Sequence, residues 1–135
     1  FTGFPFPEGG AKIYRIGADK QPTIYADNFT QLTNLTFDPQ GNLYALQYAN
    51  QSAWKGNFDG SVIKISPQGT RATVFSGNGL EAPSSLTIGP DGAIYVTNRS
   101  DRPGQGQVLR IENPKSAPEP TSVLSILTLG ILGVT

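Results

Sequence analysis

Cysteine, histidine and methionine are all absent from the 135 residues. Without Cys or His the chain cannot supply a disulfide framework, a zinc-finger or haem-type ligand set, a Cys nucleophile or a Ser-His-Asp triad. The lack of Cys does not fix a compartment, because large exported bacterial domains often need no disulfide. The lack of Met implies a fragment or a processed piece. Charge is scarce as well: only 15% of residues are charged, and ten basic ones cancel ten acidic ones. No basic field exists to hold a nucleic acid backbone or an anionic membrane surface, so nucleic acid is excluded as a partner. What the chain does have is 16 glycines and 11 prolines, well above their combined share of roughly 12% in average usage. That composition suits short strands joined by tight turns.

The sequence repeats itself. Leu35-Thr36-Phe37-Asp38-Pro39-Gln40-Gly41-Asn42-Leu43-Tyr44-Ala45 returns 51 residues later as Leu86-Thr87-Ile88-Gly89-Pro90-Asp91-Gly92-Ala93-Ile94-Tyr95-Val96, with five of eleven positions identical. A second unit, apolar-apolar-basic-apolar, occurs at Ile13-Tyr14-Arg15-Ile16, Val62-Ile63-Lys64-Ile65 and Val108-Leu109-Arg110-Ile111, at spacings of 49 and 46. Turn residues cut each repeat into four short strands, because Pro presets the first turn angle and Gly takes the left-handed one. One full set is expected at 34–38, 43–48, 61–65 and 72–76. The last two strands of a preceding set are expected at 11–16 and 23–26, and the first three of a following set at 86–88, 94–97 and 108–111. The pattern predicts nine strands and no helix before residue 116.

Four antiparallel strands in a period near 50 residues is the unit of a β-propeller, whose blades pack face to face around a channel. A β-sandwich of similar strand count is the rival, but it does not require one turn tetrapeptide to recur at a fixed period. A β-helix has a much shorter repeat. The expected fold is therefore all-β: a partial β-propeller of about two blades over residues 1–113, a linker at 114–121, and a short C-terminal apolar helix at 122–135.

Antiparallel order sorts the loops onto two sides. The turns at Pro39-Gln40-Gly41, Pro67-Gln68-Gly69 and Pro90-Asp91-Gly92 are minimal. The other side carries the length, at 27–33, 49–60, 77–85 and 98–107. Binding residues concentrate on long loops held by a rigid scaffold, so the long-loop side is the expected ligand face. Its candidates are Tyr48, Trp54, Asp59, Asn98, Arg99 and Asp101, with Phe58, Lys55 and Arg102 adding aromatic surface and charge. Each has a plain alternative in loop packing or solvation.

Other motifs fail on context. Gly77-Asn78-Gly79-Leu80-Glu81-Ala82 loosely fits a dinucleotide pattern, but Pro83 follows and no helix begins there to receive a pyrophosphate. Sequons at Asn28, Asn34, Asn50 and Asn98 matter only in a eukaryotic secretory route. Loop carboxylates such as Asp38, Asp59 and Asp101 could bind calcium through oxygen; no EF-hand spacing is present, an ordinary turn or capping role competes, and no cofactor is otherwise expected.

From Ser116 the composition changes. Ala117-Pro118-Glu119-Pro120 leads into an uncharged run from Thr121 to Val134. Read as helix, residues 122–135 would span only about 21 Å against a hydrocarbon core of roughly 30 Å. The triplet Pro118, Glu119, Pro120 before an apolar run resembles the PEP-CTERM sorting signal of bacterial surface proteins. The family signal continues with more apolar residues and a basic cluster that are not present here, which implies truncation. The resemblance implies export, processing by an exosortase as partner, and location at the cell surface or outside the cell, with membrane contact only through this segment.

The body carries a resemblance of its own. The runs at residues 60–71, 80–96 and 104–111 look like the closing blades of the ScyD/ScyE family, exported propellers related to NHL-repeat proteins and known from scytonemin pigment clusters. The match covers about residues 11–111 and implies a six-bladed parent. It favours a non-catalytic binding or scaffold module with an unknown surface ligand. The alternatives are an accessory role in pigment maturation, or a metal-dependent hydrolase of the gluconolactonase type. In that hydrolase family an Asp or Asn sits two positions before the apolar residue opening the first strand, whereas here Thr33 and Ser84 occupy those positions, and hydroxyls are poor ligands for a hard cation.

Overall fold

Four turns of one design organise the chain. In a computed structural model that describes residues 2–114, Asp38-Pro39-Gln40-Gly41-Asn42 closes with the Gly41 N–H donating to the Asp38 carbonyl (3.0 Å) and the Asp38 N–H donating to the Asn42 carbonyl (3.0 Å). Residues 66–70 and 89–93 repeat both bonds, at 2.8 to 2.9 Å. Gly41, Gly69 and Gly92 sit at φ 86, 88 and 80, the left-handed region that a type I turn with a following bulge requires. The fourth turn, residues 17–21, carries no proline, yet it makes the same pair of bonds, with Lys20 at φ 61 in the glycine position.

The turns join nine strands among the described residues. They are β1 (Ala11–Ile16), β2 (Pro22–Phe29), β3 (Leu32–Phe37), β4 (Leu43–Gln47), β5 (Asp59–Ile65), β6 (Arg71–Glu81), β7 (Ser85–Ile88), β8 (Ile94–Asn98) and β9 (Gln107–Ile111). One 3₁₀ turn, Ala53–Lys55, interrupts the β4–β5 loop. The strands form three antiparallel sheets, ordered β1-β2, β3-β4-β5-β6 and β7-β8-β9. The described chain is thus all-β, and each strand expected from the sequence forms.

Two strands run further than expected. Segments 27–33 and 77–85 read as loops because they hold Asn28, Gly77, Asn78 and Gly79, all of which adopt positive φ. These residues make bulges inside strands. β2 slips register between Ala11↔Phe29 and Ile13↔Ala26, and β6 between Asp59↔Glu81 and Ser61↔Ser76. An apolar residue beyond each bulge, Phe29 or Leu80, is fully buried, and that burial draws the chain back into the ladder after the irregularity. Only residues 30–31 and 82–84 remain as the connections between sheets.

The middle sheet is covered on both faces. Strand side chains alternate between faces, and Leu43, Ala45, Ile63 and Ile65 pack on Ala11, Ile13 and Phe29 of the first sheet. Tyr44, Leu46, Val62 and Leu80 point the other way, onto Leu86, Ile94, Val96 and Ile111 of the third. This explains why the β4 run Leu43-Tyr44-Ala45-Leu46-Gln47 does not alternate in polarity: every residue in it is buried.

The turn between β7 and β8 shows how the repeat tolerates a swap. In the β3–β4 turn, Asp38 Oδ1 accepts from the Gln40 and Asn42 N–H groups, and Oδ2 accepts from the Asn42 amide and the Tyr44 hydroxyl (3.1 Å). In the β7–β8 turn the corresponding residue is Gly89. The carboxylate has moved two positions along, to Asp91, which still accepts from the Tyr95 hydroxyl at 2.7 Å. A Cβ on Gly89 would lie 2.5 Å from the Tyr95 ring and 2.7 Å from Asp91 Oδ1. The glycine makes room for the relocated acid.

Candidate functional site

The long-loop side gathers around an acid that the sequence did not single out. Glu81, the last residue of β6, accepts from Arg99 Nε at 3.1 Å and from an Arg102 guanidinium N–H at 2.7 Å. The Arg99 N–H also donates to the Glu81 carbonyl at 3.0 Å. The hydrogen bond from Arg102, assisted by both positive charges, holds the Glu81 carboxyl below its usual range despite some burial. The Arg102 guanidinium lies 5.8 Å from the centre of the Phe58 ring, within cation–π range. Phe58 in turn meets Tyr48 edge to face, with centroids 6.0 Å apart and planes at 87°.

Tyr48 closes the circle by donating its hydroxyl to Asp101 Oδ2 at 2.7 Å. Burial, together with this bond to a carboxylate, pushes the phenol up to about 12, so it remains a donor throughout the physiological range. Asp59 lines the adjoining cleft of about 380 Å³ with Phe58, Glu81 and Arg102. Four of the expected residues, Tyr48, Asp59, Arg99 and Asp101, are therefore brought together from the start of the β4–β5 loop, from β5 and from the β8–β9 loop. The site spans the second and third sheets.

Two expected residues sit apart from this cluster. Trp54 is 61% exposed on the 3₁₀ turn, with Lys55 Nζ 5.9 Å from its ring centre. Lys55 is paired with Glu8, and Ser52 donates its hydroxyl to the Phe6 carbonyl at 2.6 Å, so the segment before β1 is pinned beside the tryptophan. Asn98 is fully buried. Its Oδ1 accepts from the Glu81 N–H at 2.8 Å, and its Nδ2 donates to the Gly79 carbonyl and to Gln107 Oε1. Two of these bonds hold the backbone that carries Glu81 and the third holds Gln107, so buried Asn98 positions the site and presents no surface to a ligand.

Gln47, 51 residues earlier, does the same for its own sheet: Oε1 accepts from the Thr30 N–H at 2.7 Å, and Nε2 donates to Ser61 and Asn50. A buried amide at the end of the second strand of the second and third sheets thus clamps the incoming connection. The recurrence of an amide residue at a spacing of 51 is the signal that could have marked Asn98 as structural.

Thr33 and Ser84, the positions that matter for a gluconolactonase-type metal centre, have their hydroxyls engaged. Thr33 donates to the Pro83 carbonyl at 3.2 Å, and Ser84 shares hydrogen bonds with Thr97 and Ser100 at 2.9 and 2.7 Å. Among the described residues no group of three or more Asp, Glu, His or Cys is placed to hold a metal ion. Pro118, Glu119, Pro120 and the apolar run after them lie outside the described residues. No known protein family, no curated protein and no solved structure matches this chain.

Proposed function

We propose that the chain belongs to an exported cell-surface β-propeller of the ScyD/ScyE kind, sorted by a PEP-CTERM signal and acting as a non-catalytic binding or scaffold module. The blade reading is supported by equivalent residues facing the same way in successive sheets, and by β3 and β7, the first strands of adjacent sheets, lying against each other. In a propeller these would be the strands nearest the axis. The binding reading rests on one observation: Tyr48, Phe58, Arg102, Glu81 and Asp101 form a locked aromatic and ionic surface across two sheets, with exposed Trp54 apart from it in the β4–β5 loop of the same long-loop side. Rigid aromatic and arginine side chains that lose little freedom on binding are the usual anchors of recognition surfaces.

Retention of the purified full-length protein by cell-surface material of its host, measured by co-sedimentation, tests this. Replacing both Trp54 and Tyr48 by Ala is expected to lower retention at least about tenfold, the scale of a lost anchor residue. Replacing Gln40 and Gln68 on the opposite, short-turn side is expected to leave it unchanged. Equal losses from both pairs would mean that the long-loop side is not the binding face.

A further inference from the structure

The middle sheet has all four strands of its repeat and a neighbouring sheet on each face. Its last strand carries a wide bulge. Against β5, the register of β6 steps from Asp59↔Glu81 to Ser61↔Ser76, which sets residues 77–80 opposite Gly60 alone. Gly77, Asn78 and Gly79 all have positive φ, at 58, 50 and 94. Asn78 and Gly79 are exposed, whereas Leu80 after them is fully buried. The bulge is anchored at its end and open at its crown.

Asn78-Gly79 is the only Asn-Gly pair in the chain, and the seven other asparagines precede residues that carry a Cβ. The distinction is chemical. The side-chain amide carbon of an asparagine can close a five-membered ring with the backbone nitrogen of the next residue, and a Cβ on that residue obstructs the approach, whereas glycine leaves it free. Among the described residues no atom lies within 4 Å of where a Cβ on Gly79 would stand, so the peptide unit between Asn78 and Gly79 has room to turn. The two Asp-Gly pairs lack this freedom. A Cβ on Gly60 would meet the Gln47 carbonyl at 2.5 Å, and the Gly92 N–H donates to the Gly89 carbonyl at 2.9 Å. Asn78 Nδ2 donates to the Ser76 carbonyl at 3.2 Å, the long end of the hydrogen-bond range.

We propose that Asn78 is a self-modification site, at which the backbone nitrogen of Gly79 displaces the side-chain amide. The Gly79 nitrogen gives its proton to solvent hydroxide and attacks Asn78 Cγ. The Cγ–Nδ2 bond then breaks, and Nδ2 leaves as ammonia with a proton taken from water. The product is a five-membered succinimide. Water adds to one of its two carbonyls and opens the ring. Breaking the new bond from Cγ to the Gly79 nitrogen gives aspartate; breaking the bond from the Asn78 main-chain carbonyl carbon to that nitrogen gives isoaspartate. No oxidation state changes.

Either product replaces an amide donor by a carboxylate, which has no hydrogen to give to the Ser76 carbonyl. The new charge lies on the same bulge as Gly77, where a Cβ would stand 3.7 Å from Asp59 Oδ2. Asp59 lines the cleft with Phe58, Glu81 and Arg102, so the conversion adds negative charge beside that wall. The reaction needs no ligand in the cleft and is independent of the proposed binding face.

The full-length protein, incubated under native conditions at mildly alkaline pH, tests this by peptide mapping, with mass spectrometric fragmentation that separates isoaspartate from aspartate. Conversion at Asn78 is expected to run at least about tenfold faster than at any other asparagine, because only its successor lacks a Cβ, and to yield both acids. Gly79→Ala should remove that lead. The rate in the folded protein should lie within about tenfold of the rate in the same protein unfolded by guanidinium chloride, because an exposed bulge outside the ladder reacts without prior unfolding. An Asn78 that converts when unfolded but stays intact when folded would overturn the proposal, since the fold would then close the site. Aspartate as the sole product would overturn it too, by showing direct hydrolysis in place of ring closure, and so would an unchanged rate in Gly79→Ala.

Discussion

Lys20 stands where three equivalent turns have glycine. Its φ of 61 places a Cβ-bearing residue in the left-handed region, where the Cβ crowds the following carbonyl at a cost of roughly 1–2 kcal/mol. The Gly17 N–H to Gln21 carbonyl bond in that turn is also long, 3.4 Å against 2.9 to 3.0 Å in the other three. Lys20→Gly is accordingly expected to raise unfolding stability by about 1 kcal/mol, seen as a higher urea midpoint at unchanged slope. A lowered midpoint would mean that the lysine is not strained there. The same turn family shows that side-chain identity matters less than where an oxygen ends up. Asp38 and Asp91 occupy different turn positions, yet both reach the hydroxyl of the tyrosine that follows.

The β8–β9 loop is fastened to the end of β6 rather than packed by apolar residues of its own. Arg99 and Arg102 both reach Glu81, while Asn98 clamps the backbone beneath. Because folding lowers the Glu81 pKa, the ionised form is the one that the folded state favours. Its contribution is therefore fully present above the ordinary value of 4.5 and is lost as pH falls through the lower folded value. The melting temperature of Glu81→Gln is expected to lie below that of the wild type at pH 6, with the gap closing progressively below pH 4.5. A gap that persists undiminished at pH 2 would show that Glu81 acts by packing and not by charge.

Three stacked sheets leave apolar surface at both ends of the stack. Tyr14 and Ile16 are exposed on the first sheet and Val108 on the third, whereas their repeat counterparts Ile63, Ile65 and Val62 in the middle sheet are buried. Val108 has the repeat position of Val62, which is fully buried between the second and third sheets. The described chain ends beside the short-turn side. Asn113 donates to the Tyr44 hydroxyl at 3.0 Å, leaving residues 114–117 between this anchor and Pro118. Under the proposed sorting reading, the protein recovered from the host surface is expected to lack the segment after the Pro118-Glu119-Pro120 triplet. Mass spectrometry that finds an intact peptide running through Leu124 to Val134 in an exported population would show that the signal is not used.

Strand content, the period and the turns were legible in the sequence because they depend on short-range constraints. Pro and Gly fix turn angles locally, and a recurrence at 51 residues places equivalent apolar positions on equivalent faces. The turn at residues 17–21 shows the limit of that reading: it has neither Pro nor the usual Gly, and it forms because the β1–β2 ladder on either side imposes it. The same limit made 27–33 and 77–85 look like loops, since burial of Phe29 and Leu80 against distant strands, not local preference, returns the chain to the sheet after each bulge. At the site, the sequence placed Tyr48, Asp59, Arg99 and Asp101 on one side but did not reveal Glu81 as their hub, nor that Asn98 faces inward. Those assignments depend on which carboxylate lies within 3.1 Å of two guanidinium groups drawn from another sheet, a distance that only the stacking of the second and third sheets creates.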